Sequence, residues 1–196
     1  MKKIISLLLV LTMLTVMTVG CAGNNQETTA GATETKVEAP ASALEILQNI
    51  WSKYADDEKF SVMGGDAANM VMDGPGNYSL TDVETLGIQL LVPADQVKNI
   101  TQAAALFHGM MVNNFTCGVF RVAQGVDAAA FAETMHDAVK NARWICGMPE
   151  KAMIAVIGGE YVLMAFGLND TINRFEAKLT AAYPEAQIKY SEAITR

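Results

Sequence analysis

The residue with the most definite chemistry is Cys21. It closes the run Met17-Thr18-Val19-Gly20-Cys21, after Lys2-Lys3 and the 17 uncharged residues from Ile4 to Gly20. A short positive start, an apolar stretch and small residues at its end read as a secretory signal. The cysteine behind it makes a lipobox, in which the thiol receives a diacylglyceryl group. The expectation is a signal peptide over 1–20, a lipidated Cys21 as mature N-terminus, and a protein held on the extracellular face of the cell membrane. The apolar run is short for a spanning helix, and no basic stop-transfer flank follows it.

Four further groups of residues could do chemistry. Cys117 and Cys146 are the other two thiols, and outside the cytoplasm a pair suggests a disulfide. Cys146 alone could serve as a nucleophile or redox thiol, although Arg143 is the one basic neighbour evident to lower its pKa. His108, Met110 and Met111 combine imidazole with thioether, a pairing suited to copper, so a copper or haem carrier is a second alternative. Trp144, Cys146 and Met148 place an aromatic ring, a thiol and a thioether in one expected loop, a candidate binding loop. His136 follows Met135 on an expected helix and should lie on its solvated side, near Glu133 and Lys140.

The usual catalytic signatures are absent. No Gly-x-Ser-x-Gly or His-Glu-x-x-His occurs, the acids lack the alternating spacing of a calcium loop, and neither Gly64-Gly65 nor Gly158-Gly159 leads into a lysine-bearing helix. No cofactor, metal or catalytic residue is therefore assigned. Charge points the same way. Without the leader, 12 basic and 21 acidic side chains give the remaining 176 residues a formal charge of −9. Nucleic acid needs a basic footprint and is excluded as a partner. The membrane contact would come from the acyl chains.

These residues need a scaffold. Residues 21–41 carry no aromatic and one branched aliphatic, Val37, too little apolar surface to offset the entropy of ordering. They read as a tether with an r.m.s. reach of roughly 25 Å. One domain follows over 42–196. Ser42-Ala43-Leu44-Glu45 is a capping box before Leu44, Leu47, Ile50, Trp51 and Tyr54 at helical spacing. A short extended piece around Met70–Met72, a brief helix from Thr81 or Asp82 and a helix from Pro93 to about Phe107 complete a helical extension over 42–112.

Over 113–191 the pattern is strand, helix, strand, strand, helix, strand. Strands are expected at 115–123, 152–157, 161–166 and 186–190, with Gly158-Gly159 as a two-residue turn. Helices are capped by Asp127 and by Asn169 or Asp170. That order is the ferredoxin-like split βαβ, with both helices on one face of an antiparallel sheet. The fold class expected is α+β. In such a sheet the first and second strands start roughly 10 Å apart, whereas a disulfide needs Cα atoms within about 7 Å. A Cys117–Cys146 bridge would require the chain to lean inward there, and two buried, inert thiols are the alternative.

Several segments resemble an uncharacterised family of small lipoproteins from Gram-positive anaerobes: Ala43-Leu44-Glu45-Ile46-Leu47, Tyr54 to Phe60, Asn113-Asn114-Phe115-Thr116, Trp144 to Lys151 and Gly159 to Gly167. The resemblance spans nearly all of 43–196. It implies a lipid-anchored domain of unknown function and adds no chemistry. Some similar proteins carry a bacteriocin transport accessory label, which would imply a thioredoxin-like site. Trp144-Ile145-Cys146-Gly147-Met148-Pro149 lacks the Cys-x-x-Cys such a site needs. The leading expectation is a non-enzymatic binding or accessory module, with a thiol protein or a metal carrier as rivals.

Overall fold

Ser42 starts the first helix. Its Oγ accepts the Glu45 N–H at 3.1 Å as in a capping box, while Glu45 Oε2 reaches one residue further back and accepts the Ala41 N–H at 2.8 Å. The computed structural model describes residues 40–111, 113–145 and 147–195. The expected leader, Cys21, most of the tether and Cys146 lie outside the described residues. The folded unit already takes in Pro40, whose carbonyl accepts from the Tyr161 hydroxyl at 3.2 Å.

In chain order the elements are α1 (Ala43–Trp51), β1 (Val62–Gly64), β2 (Val71–Met72), β3 (Gly76–Tyr78), α2 (Val83–Leu90), a 3-10 turn (Ala94–Asn99), β4 (Ile100–His108), β5 (Phe115–Val122), α3 (Ala128–Lys140), β6 (Lys151–Ile157), β7 (Tyr161–Gly167), α4 (Asn169–Ala182) and β8 (Gln187–Ala193). The class is mixed α+β, and one antiparallel eight-stranded sheet runs β2-β1-β4-β5-β7-β6-β8, with β3 paired to β4 beyond β1. Asp127 caps α3 as expected, and Asp82 caps the brief helix α2. The first turn of α4 is instead served by a distant acid, with Glu150 Oε2 accepting the Asn169 N–H at 2.8 Å.

The region 42–112 is not a helical extension. Ile100–His108, expected inside a helix, is an interior strand paired with β1, β3 and β5. Alanine favours helix over strand by only tenths of a kcal/mol per residue. Here Ala104 and Leu106 pack on one side of the sheet and Ala103 and Ala105 on the other, so each residue is buried whichever way it points. Such two-sided burial erases the alternation that marks a strand. Pro93 precedes only the 3-10 turn. Gly64, Gly65 and Gly76 serve close backbone approach, since a Cβ on Gly64 would run into the Gly76 nitrogen.

The C-terminal element order is as expected, but its sheet order is β5-β7-β6-β8. A ferredoxin-like sheet returns its last strand to the edge of the first. Here β4 already occupies that edge of β5, and β8 pairs with β6 instead. The crossovers β5-α3-β6 and β7-α4-β8 therefore step the same way along the sheet from oppositely directed strands. The handedness rule for such connections then puts their helices on opposite faces. The two cores bear this out. Phe175 and Leu179 of α4 join Leu47 and Ile50 of α1 on one face, while Phe131 and Met135 of α3 join Leu86 and Leu90 of α2 on the other. The expectation of both helices on one face is thus corrected. With helices on both faces, β7 is buried along its whole length.

The hairpin between β6 and β7 has a three-residue loop, 158–160, because Ile157 pairs with Tyr161. Both Gly158 and Gly159 have positive φ, 59° and 75°, the left-handed region that glycine enters without steric cost.

Candidate functional site

On the α2/α3 face the helices leave one end of the sheet open. α2 covers β5 near its middle, and α3 covers β7 and β6. Beyond them the far ends of β4, β5 and β7 form a floor of Phe107, Thr116 and Phe166. Ile88 of α2 and Met70, before β2, make one wall. Trp144 and Ile145, after α3, make another, and the His108–Met111 turn closes the end. The resulting groove has a volume of about 650 Å3, within the range of ligand sites.

The structure brings together two patches that the sequence separates, the Trp144 segment and the His108-Met110-Met111 turn. Asn113 Nδ2 donates to the Gly147 carbonyl at 2.7 Å and ties one to the other. Trp144 is half-buried and packs on Phe166 with ring centroids 5.0 Å apart, so it both plugs the corner after α3 and lines the groove. Met148 is half-buried and does not line it. Arg143 is the cation at the rim, without a carboxylate partner among the described residues.

His108 stacks on Phe60 at 5.6 Å, and its Nδ1 accepts the N–H groups of Met110 and Met111 at 3.1 and 3.2 Å. The Nδ1 lone pair is thereby used, and a neutral ring must carry its proton on Nε2. This arrangement leaves no nitrogen lone pair on His108 for a metal. Among the described residues no three His, Cys, Asp or Glu side chains gather as a metal site.

Asp66 fixes the groove's other lip. Burial pushes its carboxyl upward, but hydrogen bonds from Ser79, Asn69 and Ala68 outweigh burial and hold it below the ordinary carboxylate value. Its Oδ2 accepts from Ser79 N at 2.6 Å, and its Oδ1 from Ala68 N and Asn69 N at 3.0 and 2.9 Å.

The remaining sequence candidates lie elsewhere. Cys117 is a free, fully buried thiol on the α1/α4 face, pushed well above its ordinary pKa by desolvation. His136 is not on a solvated side. It is 9% exposed, stacked on Tyr190 of β8 at 3.8 Å and 5°, with Nε2 2.7 Å from Glu192 Oε1. The β8 edge, unforeseen beside α3, closes over it.

Sequence reasoning missed Met70, Ile88, Phe107 and Phe166. Ile88 alone gave a local signal: Leu86 and Leu90 share one face of a helix at i, i+4 spacing, so an isoleucine midway between them must point elsewhere, and it is 71% exposed. No helix among the described residues is long and apolar enough to cross a membrane. No protein-family model, curated protein or solved structure matches the chain, so the site is read from its geometry.

Proposed function

We propose that this chain is a lipid-anchored extracytoplasmic binding module, without enzymatic activity, whose methionine-lined groove holds an apolar guest. The observation that carries the reading is the groove itself. Its floor is aromatic, and its lips include Met70, Ile88, Met110 and Ile145 at 59, 71, 82 and 88% exposure. A contiguous apolar patch of this kind on a domain surface marks an interaction site. Flexible thioether side chains suit a surface that adapts to its guest. A small apolar molecule such as a dye can seat on the floor, and an apolar-faced protein segment would also cover lips this exposed, which makes it the better-fitting guest.

The anchor end supports the same reading. Pro40, the first described residue, touches the Gly158 and Tyr161 end of the sheet, whereas the groove lies at the His108 and Phe166 end. The two are separated by the length of β7, roughly 20 Å at about 3.3 Å per residue. The described chain thus enters the domain at the end of β7 away from the groove, and attachment there leaves the groove uncovered. In this reading the chain belongs with the small lipoproteins it resembles.

Two measurements test it. Mass spectrometry of the membrane fraction should find a diacylglyceryl group on Cys21, and Cys21→Ala should abolish it; an unmodified mature N-terminus overturns the anchoring. Nile red should bind the soluble domain and lose most of its affinity on Trp144→Ala, with far-ultraviolet dichroism unchanged. Equal binding by both proteins overturns the groove.

A further inference from the structure

We propose that the groove is a methionine modification site: oxidation of Met70, Met110 and Met111 to sulfoxides closes it to apolar guests, and enzymatic reduction reopens it. The inference rests on the groove being the binding site and adds how it is controlled. It is carried by where the sulfurs sit. Of the eight exposed large apolar residues described, four are methionines, Met70, Met72, Met110 and Met111, at 59, 63, 82 and 58% exposure. Three line the groove, and Met72 lies on β2 beside it, paired with the lining Met63. The scaffold methionines Met135, Met153 and Met164 are at 0%. The exposed sulfurs thus lie in or beside the groove and the fully buried ones in the core, with Met63 and Met148 half-buried.

The chemistry is a two-electron oxygen transfer from a hydroperoxide. The thioether sulfur attacks the outer peroxide oxygen, the S–O bond forms as the O–O bond breaks, and the departing oxygen takes up a proton to leave as water or an alcohol. Sulfur is oxidised and the peroxide reduced. Methionine sulfoxide reductases reverse it, two thiols becoming a disulfide as the oxygen leaves as water. The product is polar, and an apolar interface loses its contacts. The four sulfurs should not react alike. Met111 Sδ accepts a hydrogen bond from Asn114 Nδ2 at 3.2 Å, which engages its lone pair, whereas Met110 is the most exposed.

The test treats the full mature protein with hydrogen peroxide, maps sulfoxides by peptide mass spectrometry and titrates Nile red. Met110, Met70 and Met72 should oxidise first, Met111 more slowly, and Met135, Met153 and Met164 only on unfolding. Nile red affinity should fall about tenfold, since each buried methionine contributes on that scale or more. Reductases for both sulfoxide epimers should restore it. The variant M70L/M110L/M111L has its own starting affinity, set by its altered lining, and that affinity should be the same before and after peroxide. Unchanged affinity with the three groove sulfurs oxidised overturns the proposal and leaves the binding reading standing, as does equal loss in the leucine variant. Absence of dye binding by untreated protein overturns both.

Discussion

Asn113 Nδ2 and the Gly147 carbonyl, 34 residues apart in sequence, meet at 2.7 Å. The bond holds the turn that carries Met110 and Met111 against the segment that carries Trp144 and Ile145. Asn113 has φ of +65°, a region asparagine tolerates better than most residues and glycine tolerates freely. Asn113→Gly should therefore keep the backbone and remove only the bond. We expect a stability loss of about 1 kcal/mol or less and a several-fold loss of Nile red affinity. Unchanged affinity in a titration of the folded variant would show that the bond does not organise the groove.

Trp144 has a second consequence. It is only half-buried against Phe166, so Trp144→Ala should cost less than the ~3–5 kcal/mol of a fully buried tryptophan, about 1–2 kcal/mol. Chemical denaturation checks this. A loss that unfolds the domain would assign Trp144 to the scaffold and remove it from the site.

Tyr54 offers a test of packing. Its hydroxyl is buried with no hydrogen-bond partner among the described residues, and burial pushes its ionisation far upward. An unsatisfied buried hydroxyl costs free energy. Tyr54→Phe should raise stability by up to about 1 kcal/mol, read as a higher denaturant midpoint at unchanged slope. A lower midpoint would mean that the hydroxyl is satisfied.

Asp66 sets a pH dependence. Its folded pKa lies below the ordinary 3.8, so its contribution to stability is present above that value and is lost as pH falls through the folded pKa. The loop of 66–79 should loosen below about pH 3.8, seen as faster amide exchange at Ala68, Asn69 and Ser79. In Asp66→Asn the exchange should already be fast at neutral pH, with little further acid dependence. Identical acid profiles for the two proteins would count against this role.

Cys117 should be inert. It is wholly buried and its thiol is pushed up by desolvation, so iodoacetamide at neutral pH should label it only when the protein unfolds. Rapid alkylation of Cys117 in folded protein, resolved by peptide mapping, would contradict the burial.

The sequence by itself determined the elements whose pattern is local. Capping at Ser42 and Asp127, the turn glycines 158 and 159, and the order of strands and helices from Phe115 onward were legible because each depends on neighbours a few residues away. The candidate residues Trp144, His108, Met110 and Met111 were picked out singly by type. Only the tertiary structure decided that they share one groove, that Ile100–His108 is a strand and that α3 and α4 lie on opposite faces. The physical reason is common to all three. β4 takes the free edge of β5 through hydrogen bonds between segments distant in sequence, and that one pairing displaces β8, buries Ala103–Ala105 from both sides and leaves a sheet end uncovered between α2 and α3.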